Sequence, residues 1–163
     1  MRLWHYELFP YLPDAQFKGQ LRELVAILHD WRYRGTTNHL LINRVMEYDK
    51  KELTSYFNRY CEAMRKRYKK GIKRDTVIEF LEFAEYKWVS DYLIDPFTNS
   101  VFFTDEYEDK PIFDGWHNKE YLRICMSNLL EKHRGIGKSR ITDEEWARLC
   151  EGYERITGEK YEI

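Results

Sequence analysis

Three groups of residues in this chain have types and spacings that could carry chemistry. Gly135-Ile136-Gly137-Lys138-Ser139 ends like a phosphate-binding loop, but Lys132 stands where that motif needs its first glycine. No strand signal leads into it, so it reads as a turn between helices. The histidines His5, His29, His39, His117 and His133 show neither HExxH spacing nor a CxxC partner, so no structural metal and no cofactor is expected. Asp105, Glu106, Glu108 and Asp109 offer oxygens that suit a hard cation, yet an acidic loop of this kind reads as solvated. The third group is polar and helical in its spacing: Gln16, Gln20, Glu23 and Ile27 fall on one stripe, beside the apolar residues of the same segment. Farther along, the basic run Arg65 to Arg74 offers phosphate contacts, and it equally suits the dipole at a helix end.

Around that stripe the residues form a longer pattern. The chain opens Met1-Arg2-Leu3-Trp4, continues with Leu12-Pro13-Asp14-Ala15-Gln16 and Gln20-Leu21-Arg22-Glu23-Leu24, and then reads Asn38-His39-Leu40-Leu41-Ile42-Asn43. This pattern resembles the pyrimidine-dimer DNA glycosylases, the phage endonuclease V type and its bacterial relatives, over roughly residues 1–72. The resemblance implies a nucleophilic N-terminal α-amine beside an arginine, with an arginine–glutamate pair on the first helix completing the site. Carried to this chain, these are Met1 and Arg2, then Arg22 and Glu23. Where the family exposes a threonine by methionine removal, the bulky Arg2 follows here, so Met1 is expected to remain and supply the amine. The implied DNA contacts are Arg2, Arg22, Gln16, Asn38, His39, Arg65, Lys66 and Lys69, and the implied partner is double-stranded DNA. This helix carries Gln16 where the family has a histidine and Ala26 where it has an arginine.

The chemistry implied has a plain physical basis. An α-amine has a reference pKa near 8, against about 10.4 for lysine, so roughly a tenth of it is neutral at pH 7. A neutral amine attacks the sugar C1′ and forms an imine as the base leaves. Loss of a proton from C2′ then expels the 3′ phosphate, which is the abasic-site lyase step. A carboxylate balances positive charge on the sugar and shuttles protons, as in glycoside cleavage. Arginines hold the flanking phosphates.

These residues need elements to position them, and helical signals dominate. Pro13 and Asp14 open a helix to about His29, with Phe17, Leu21, Leu24, Val25 and Leu28 at helical spacing. A short helix over residues 38–48 carries Leu41, Ile42 and Val45. Asp49 and Glu52 cap a long helix whose inward residues are Leu53, Tyr56, Phe57, Tyr60 and Met64, and which ends in the basic cluster before Gly71. A fourth helix runs from Asp75 to about Tyr92. Residues 95–115 read as a loop or short hairpin, and residues 118–134 and 142–152 as two further helices, the last capped by Thr142 and Glu145. Trp88, Trp116 and Trp146 read as core. The expected architecture is mainly α, a single compact helical domain.

The 163 residues suit one domain, and an apolar fraction of 43% with 17% aromatic is enough for a core. No run reaches the length of a membrane-spanning helix, the first residues lack a secretory signal, and no membrane association is expected. Cys61, Cys125 and Cys150 form no CxxC pair and an odd count, so a reduced, soluble, cytoplasmic protein is expected. The net charge of −1 hides an asymmetry: residues 1–74 hold 16 Lys and Arg against 8 Asp and Glu, while residues 75–163 hold 11 against 20. That split suits either a surface facing a polyanion or two halves that neutralise each other. Two other functions therefore stand beside the glycosylase: a nucleic-acid-binding module that kept the fold without catalysis, and a helical interaction protein whose acidic half binds a basic partner.

Overall fold

Pro13 lacks an N–H and fixes its own φ, so it suits the position just before a helix. Its carbonyl accepts from the Phe17 amide at 2.9 Å, and helix α1 runs over Asp14–Arg34. The computed structural model describes residues 2–88, 90–135 and 140–163. They are mostly helical, with one small two-stranded sheet, as the sequence indicates. The chain divides into two compact units. One holds residues 23–113, the other residues 2–22 and 114–163, and the boundary falls within α1. None of the described helices is long and apolar enough to cross a membrane.

In the first unit, α1 continues one turn beyond the expected end near His29. Its last turns carry Trp31 edge-on against Phe83, with centroids 5.1 Å apart, and His29 Nε2 lies 2.6 Å from Glu79 Oε1. Gly35, with φ of 71°, ends it. Residues 42–47 form a 3-10 turn where a short helix was expected. Helix α2, Lys50–Tyr68, begins at the expected cap: the Asp49 side chain accepts from the Lys51 amide at 2.8 Å, and Glu52 accepts from the Asp49 amide at 3.3 Å. It buries Leu53, Tyr56, Phe57, Tyr60 and Met64 as expected, and Phe57 stacks face to face on Phe80, centroids 3.9 Å apart. Its end is set by Lys69 in the left-handed conformation, φ 58°, two residues before Gly71.

Helix α3, Arg74–Phe83, is shorter than expected. Glu85 adopts φ of 63°, its amide donates to Glu82 O and the Tyr86 amide donates to Leu81 O. These are the paired bonds of a Schellman ending, and Leu81 and Tyr86 share an apolar cluster with Ala84 and Tyr92. Strand β1, Tyr92–Ile94, follows and pairs antiparallel with β2, Val101–Phe103. A hairpin is therefore present, starting three residues before the segment where it was expected. Asp105 is buried rather than solvated. Its carboxylate accepts from Ser55 Oγ at 2.8 Å, Asn58 Nδ2 at 3.2 Å and the Tyr107 amide at 2.9 Å, which fastens the acidic loop to α2.

The second unit holds the 3-10 turn Tyr6–Leu8, the first turns of α1, and helices α4, Lys119–His133, and α5, Asp143–Thr157. Asn118 caps α4, and Thr142 with Glu145 forms a capping box for α5. Gly135 turns the chain after α4 with φ of 81°, while residues 136–139 of the glycine-rich segment lie outside the described residues. Helix α5 runs past the expected end at Gly152 to Thr157, and Gly158 terminates it. Gly152 is a packing residue: a Cβ there would clash with the Tyr11 ring, which lies against the helix backbone. Its position gives the ring access to the helix backbone, at the cost of helix propensity.

Replacing Gly152 by alanine should therefore destabilise the protein by about 1–3 kcal/mol, the range for forced overpacking. Gly71, where an added Cβ meets nothing within 4 Å, should accept alanine without loss. Urea denaturation of both variants checks the difference, and equal stabilities would contradict it.

Candidate functional site

The N-terminal segment is held along α1 by one side chain. Gln20 is completely buried; its Oε1 accepts from the Trp4 amide at 2.9 Å and its Nε2 donates to the Arg2 carbonyl at 2.7 Å. A primary amide is the side chain that can accept and donate from one planar group, which is what an extended backbone presents at residues 2 and 4. Tyr121 of α4 adds a third tie, donating its hydroxyl hydrogen to the Leu3 carbonyl. Leu3 and Trp4 are buried, so the segment is seated in apolar surroundings as well as bonded. The sequence pattern set Gln16 and Gln20 beside the apolar stripe of α1; both are in fact buried, while Leu21 and Val25 are only half-buried.

The next residues are walled by rings. His5 stacks on His117 at 5.2 Å, Tyr6 lies parallel to His117 at 5.8 Å, and His117 meets Tyr121 at 4.8 Å and the edge of Trp116 at 4.8 Å. His5 Nδ1 accepts from the Glu7 amide at 3.2 Å and caps the 3-10 turn. Burial pushes the His5 pKa down to about 4, against a smaller upward pull from its hydrogen bond to the His117 backbone. The ring is therefore neutral at pH 7. Cys125 of α4 lies in the same region, and burial raises its thiol to about 11, although the Arg2 charge lowers it slightly. A thiol held protonated is a poor nucleophile.

Arg2, Gln16, Gln20 and Arg22 belong to the second unit, where Gln20 bonds the Arg2 carbonyl. The Arg2 guanidinium sits over the Trp4 ring, 4.9 Å from its centroid, and Arg22 is exposed on α1. Met1 lies outside the described residues. Glu23 follows Arg22 on α1, three positions after Gln20, and is half-buried.

The remaining candidates belong to the first unit. Asn38 and His39 are exposed in the loop after α1. The loop is shaped by Asn43, whose Oδ1 accepts from the Thr37 amide at 2.7 Å and whose Nδ2 donates to Thr36 Oγ1 at 3.1 Å. Asn38 Oδ1 accepts a long bond, 3.4 Å, from Arg34. Arg65, Lys66 and Lys69 are exposed over the end of α2; Arg65 and Lys69 line a groove with Lys70 and Arg74, and Lys66 does not. The residue that sequence reasoning underrated is Gln20. Its one signal was a large polar side chain at a position one helical turn from Gln16 and one from Leu24.

Residues 1–76 match the family model described as pyrimidine dimer DNA glycosylase. The match supports a function of the DNA-repair glycosylase type. No curated protein and no solved structure matches the chain.

Two measurements probe this geometry. Gln20→Leu keeps volume but leaves the Trp4 amide and Arg2 carbonyl unpaired by the side chain, which should cost about 1–3 kcal/mol and speed hydrogen exchange at the Trp4 amide. A Trp4 amide still protected in a stable variant would show that Gln20 is not the anchor. The second concerns pH. His5 is held neutral in the folded protein but ionises near 6.5 when unfolded, so the unfolded state binds more protons between pH 6.5 and about 4. Stability should therefore fall across that window as pH drops. His5→Gln should flatten the melting-temperature profile over that range, and an unaltered profile would assign the acid sensitivity to other groups.

Proposed function

We propose that this chain is a DNA glycosylase with abasic-site lyase activity, acting on a damaged or abasic nucleotide in double-stranded DNA through the N-terminal amine of Met1. The observation that carries the reading is the Gln20 clamp: residues 2 to 4 are bonded to the helix that bears Arg22 and Glu23. The match of residues 1–76 to the glycosylase family supports it independently.

In this reading the neutral Met1 amine attacks C1′, forming the N–C1′ bond as the C1′–base bond breaks and the base leaves with a proton. The C1′–O4′ bond then opens as O4′ takes a proton, and the resulting iminium places a positive charge on nitrogen, which acidifies the C2′ hydrogen. Removal of that proton expels the 3′ phosphate, and water releases the enzyme from the imine. Glu23 is the group assigned to balance the cationic sugar and move these protons. Arg2 and Arg22 hold the phosphates on either side of the target, and Gln16, Asn38, His39, Arg65, Lys66 and Lys69 serve as further DNA contacts. Burial keeps the Cys125 thiol protonated, which makes it a poor nucleophile. Cys61, Cys125 and Cys150 are free thiols, as suits a protein working in a reducing compartment.

Borohydride reduction tests the mechanism, because only an imine is converted to a stable protein–DNA adduct. Wild type should trap on an abasic duplex, and acetylation of the Met1 amine should abolish trapping, since an amide nitrogen is not nucleophilic. Glu23→Gln keeps the size of the side chain and removes its charge and basicity, so turnover should fall by about two orders of magnitude or more. DNA affinity should hold or rise slightly. Salt-dependent DNA binding without any trapping would replace the enzyme with a binding module on the same fold. Normal trapping by both modified proteins would move the nucleophile to a lysine.

A further inference from the structure

A groove of about 840 Å³ opens in the first unit between the end of α2, the start of α3 and the β1–β2 hairpin. Its volume is near the upper end for a ligand pocket, so it accepts more than one small anion. Arg65, Lys69, Lys70 and Arg74 form one wall. The same groove is lined by the turn residues Thr98, Asn99 and Ser100 and by Val101, Phe102 and Phe103 of β2. The turn is stiff. Asp95 accepts from the Phe97 amide at 2.8 Å, the Asp95 amide donates to Ser100 O at 2.8 Å, and Asn99 holds φ of 56°.

The composition of the two walls selects the occupant. Val101 and Phe103 pack against the cluster of Leu81, Ala84, Tyr86 and Tyr92, which explains why β2 is apolar at those positions. Phe102 has no such role: it is 60% exposed, opposite an equally exposed Leu93, at 67%. An exposed aromatic in the same groove lining as several cations is the pairing that serves a single nucleic-acid strand, with bases stacked on the ring and phosphates on the cations. A duplex covers its base faces and cannot use the ring. Acidic residues also border the groove, and they sharpen the assignment. Asp105 is engaged by Ser55, Asn58 and Tyr107, while Glu62 and Glu108 remain exposed. Carboxylates repel phosphates, which confines the strand's backbone to the cationic wall. They accept hydrogen bonds from exocyclic amino groups, as acidic side chains do from cytosine N4.

We propose that this groove binds a short segment of single-stranded nucleic acid, with phosphates on Arg65, Lys69, Lys70 and Arg74 and a base stacked on Phe102. The groove shares Arg65 and Lys69 with the duplex contacts proposed above, but the inference requires neither Met1 nor Glu23 and its test uses undamaged strands. Fluorescence anisotropy with a labelled deoxycytidine hexamer reads it directly. The full-length chain should bind the hexamer more tightly than it binds a duplex of the same length. Phe102→Ala, an exposed change that leaves the core intact, should weaken hexamer binding about 5- to 150-fold, the range for losing one base stack. Lys69→Gln with Lys70→Gln should lower the log–log salt slope by about 1.4, two contacts at roughly 0.7 each. Circular dichroism of each variant separates lost binding from lost folding. Three results would overturn the proposal: no hexamer binding at low salt, a duplex preference unaffected by Phe102→Ala, or self-association that Phe102→Ala abolishes while no strand binds. The last would make the hairpin face a contact between copies of this chain. A failure here leaves the borohydride experiment untouched, and a failure of trapping leaves this one standing.

Discussion

Two hydrogen bonds from one buried amide organise residues 2 to 4, the segment beside the proposed nucleophile. The first residues of a protein are ordinarily loose, because they make few contacts and ordering them costs backbone entropy. Here Gln20 pairs with the backbone at Arg2 and Trp4, and its burial makes the pairing obligatory: without it, three polar groups would lie inside apolar packing with no internal partner from this clamp. Burial of Leu3 and Trp4 contributes the hydrophobic share. Polar and apolar terms act on the same few residues.

That arrangement explains other choices in the second unit. A segment bonded along one edge to α1 still has to be covered on its other sides, and Tyr121, His117 and Trp116 provide the cover. Rings suit the task because they bury large areas while keeping a hydroxyl or nitrogen for a bond. Tyr121 uses its hydroxyl on Leu3, and His5 uses Nδ1 on Glu7. The depressed pKa of His5 and the raised pKa of Cys125 have the same origin in burial, and both groups are held uncharged as a result.

Much of this was legible because it is local. The caps at Asp49 and Thr142 follow from residues three apart, and the structure forms both boxes. The inward stripe of α2 follows from helical spacing alone. The elements that sequence reasoning misjudged depend on distant partners or on uncommon backbone choices. Lys69 and Glu85 end their helices in the left-handed region without a glycine to announce it, and the second of these moved the start of the hairpin into a segment with helical spacing. Gly152 looked like a terminus because glycine usually ends helices, but Tyr11, far away in sequence, requires it inside one. Asp105 looked solvated among acidic neighbours, and Ser55 and Asn58 on α2 make it a buried tie. Gln20 is the same case at the site: the sequence shows an amide on a stripe, and only the fold shows what it bonds.

For an amine nucleophile, this anchoring bears on rate as well as stability. A terminal amine on a loose segment samples many orientations, and productive attack requires a narrow one, with the reacting atoms about 3 Å apart. The Gln20 clamp fixes the backbone at Arg2, the residue that follows the proposed nucleophile in the sequence. Lysine cannot be prepared in this way, since its amine ends a four-carbon stem and its ordinary pKa keeps it protonated at pH 7. An α-amine starts with the lower pKa. Under the proposed chemistry, the buried glutamine therefore works through the backbone rather than on the substrate. It restricts the approach of the amine, and it spends no charge near the phosphates that the arginines must hold.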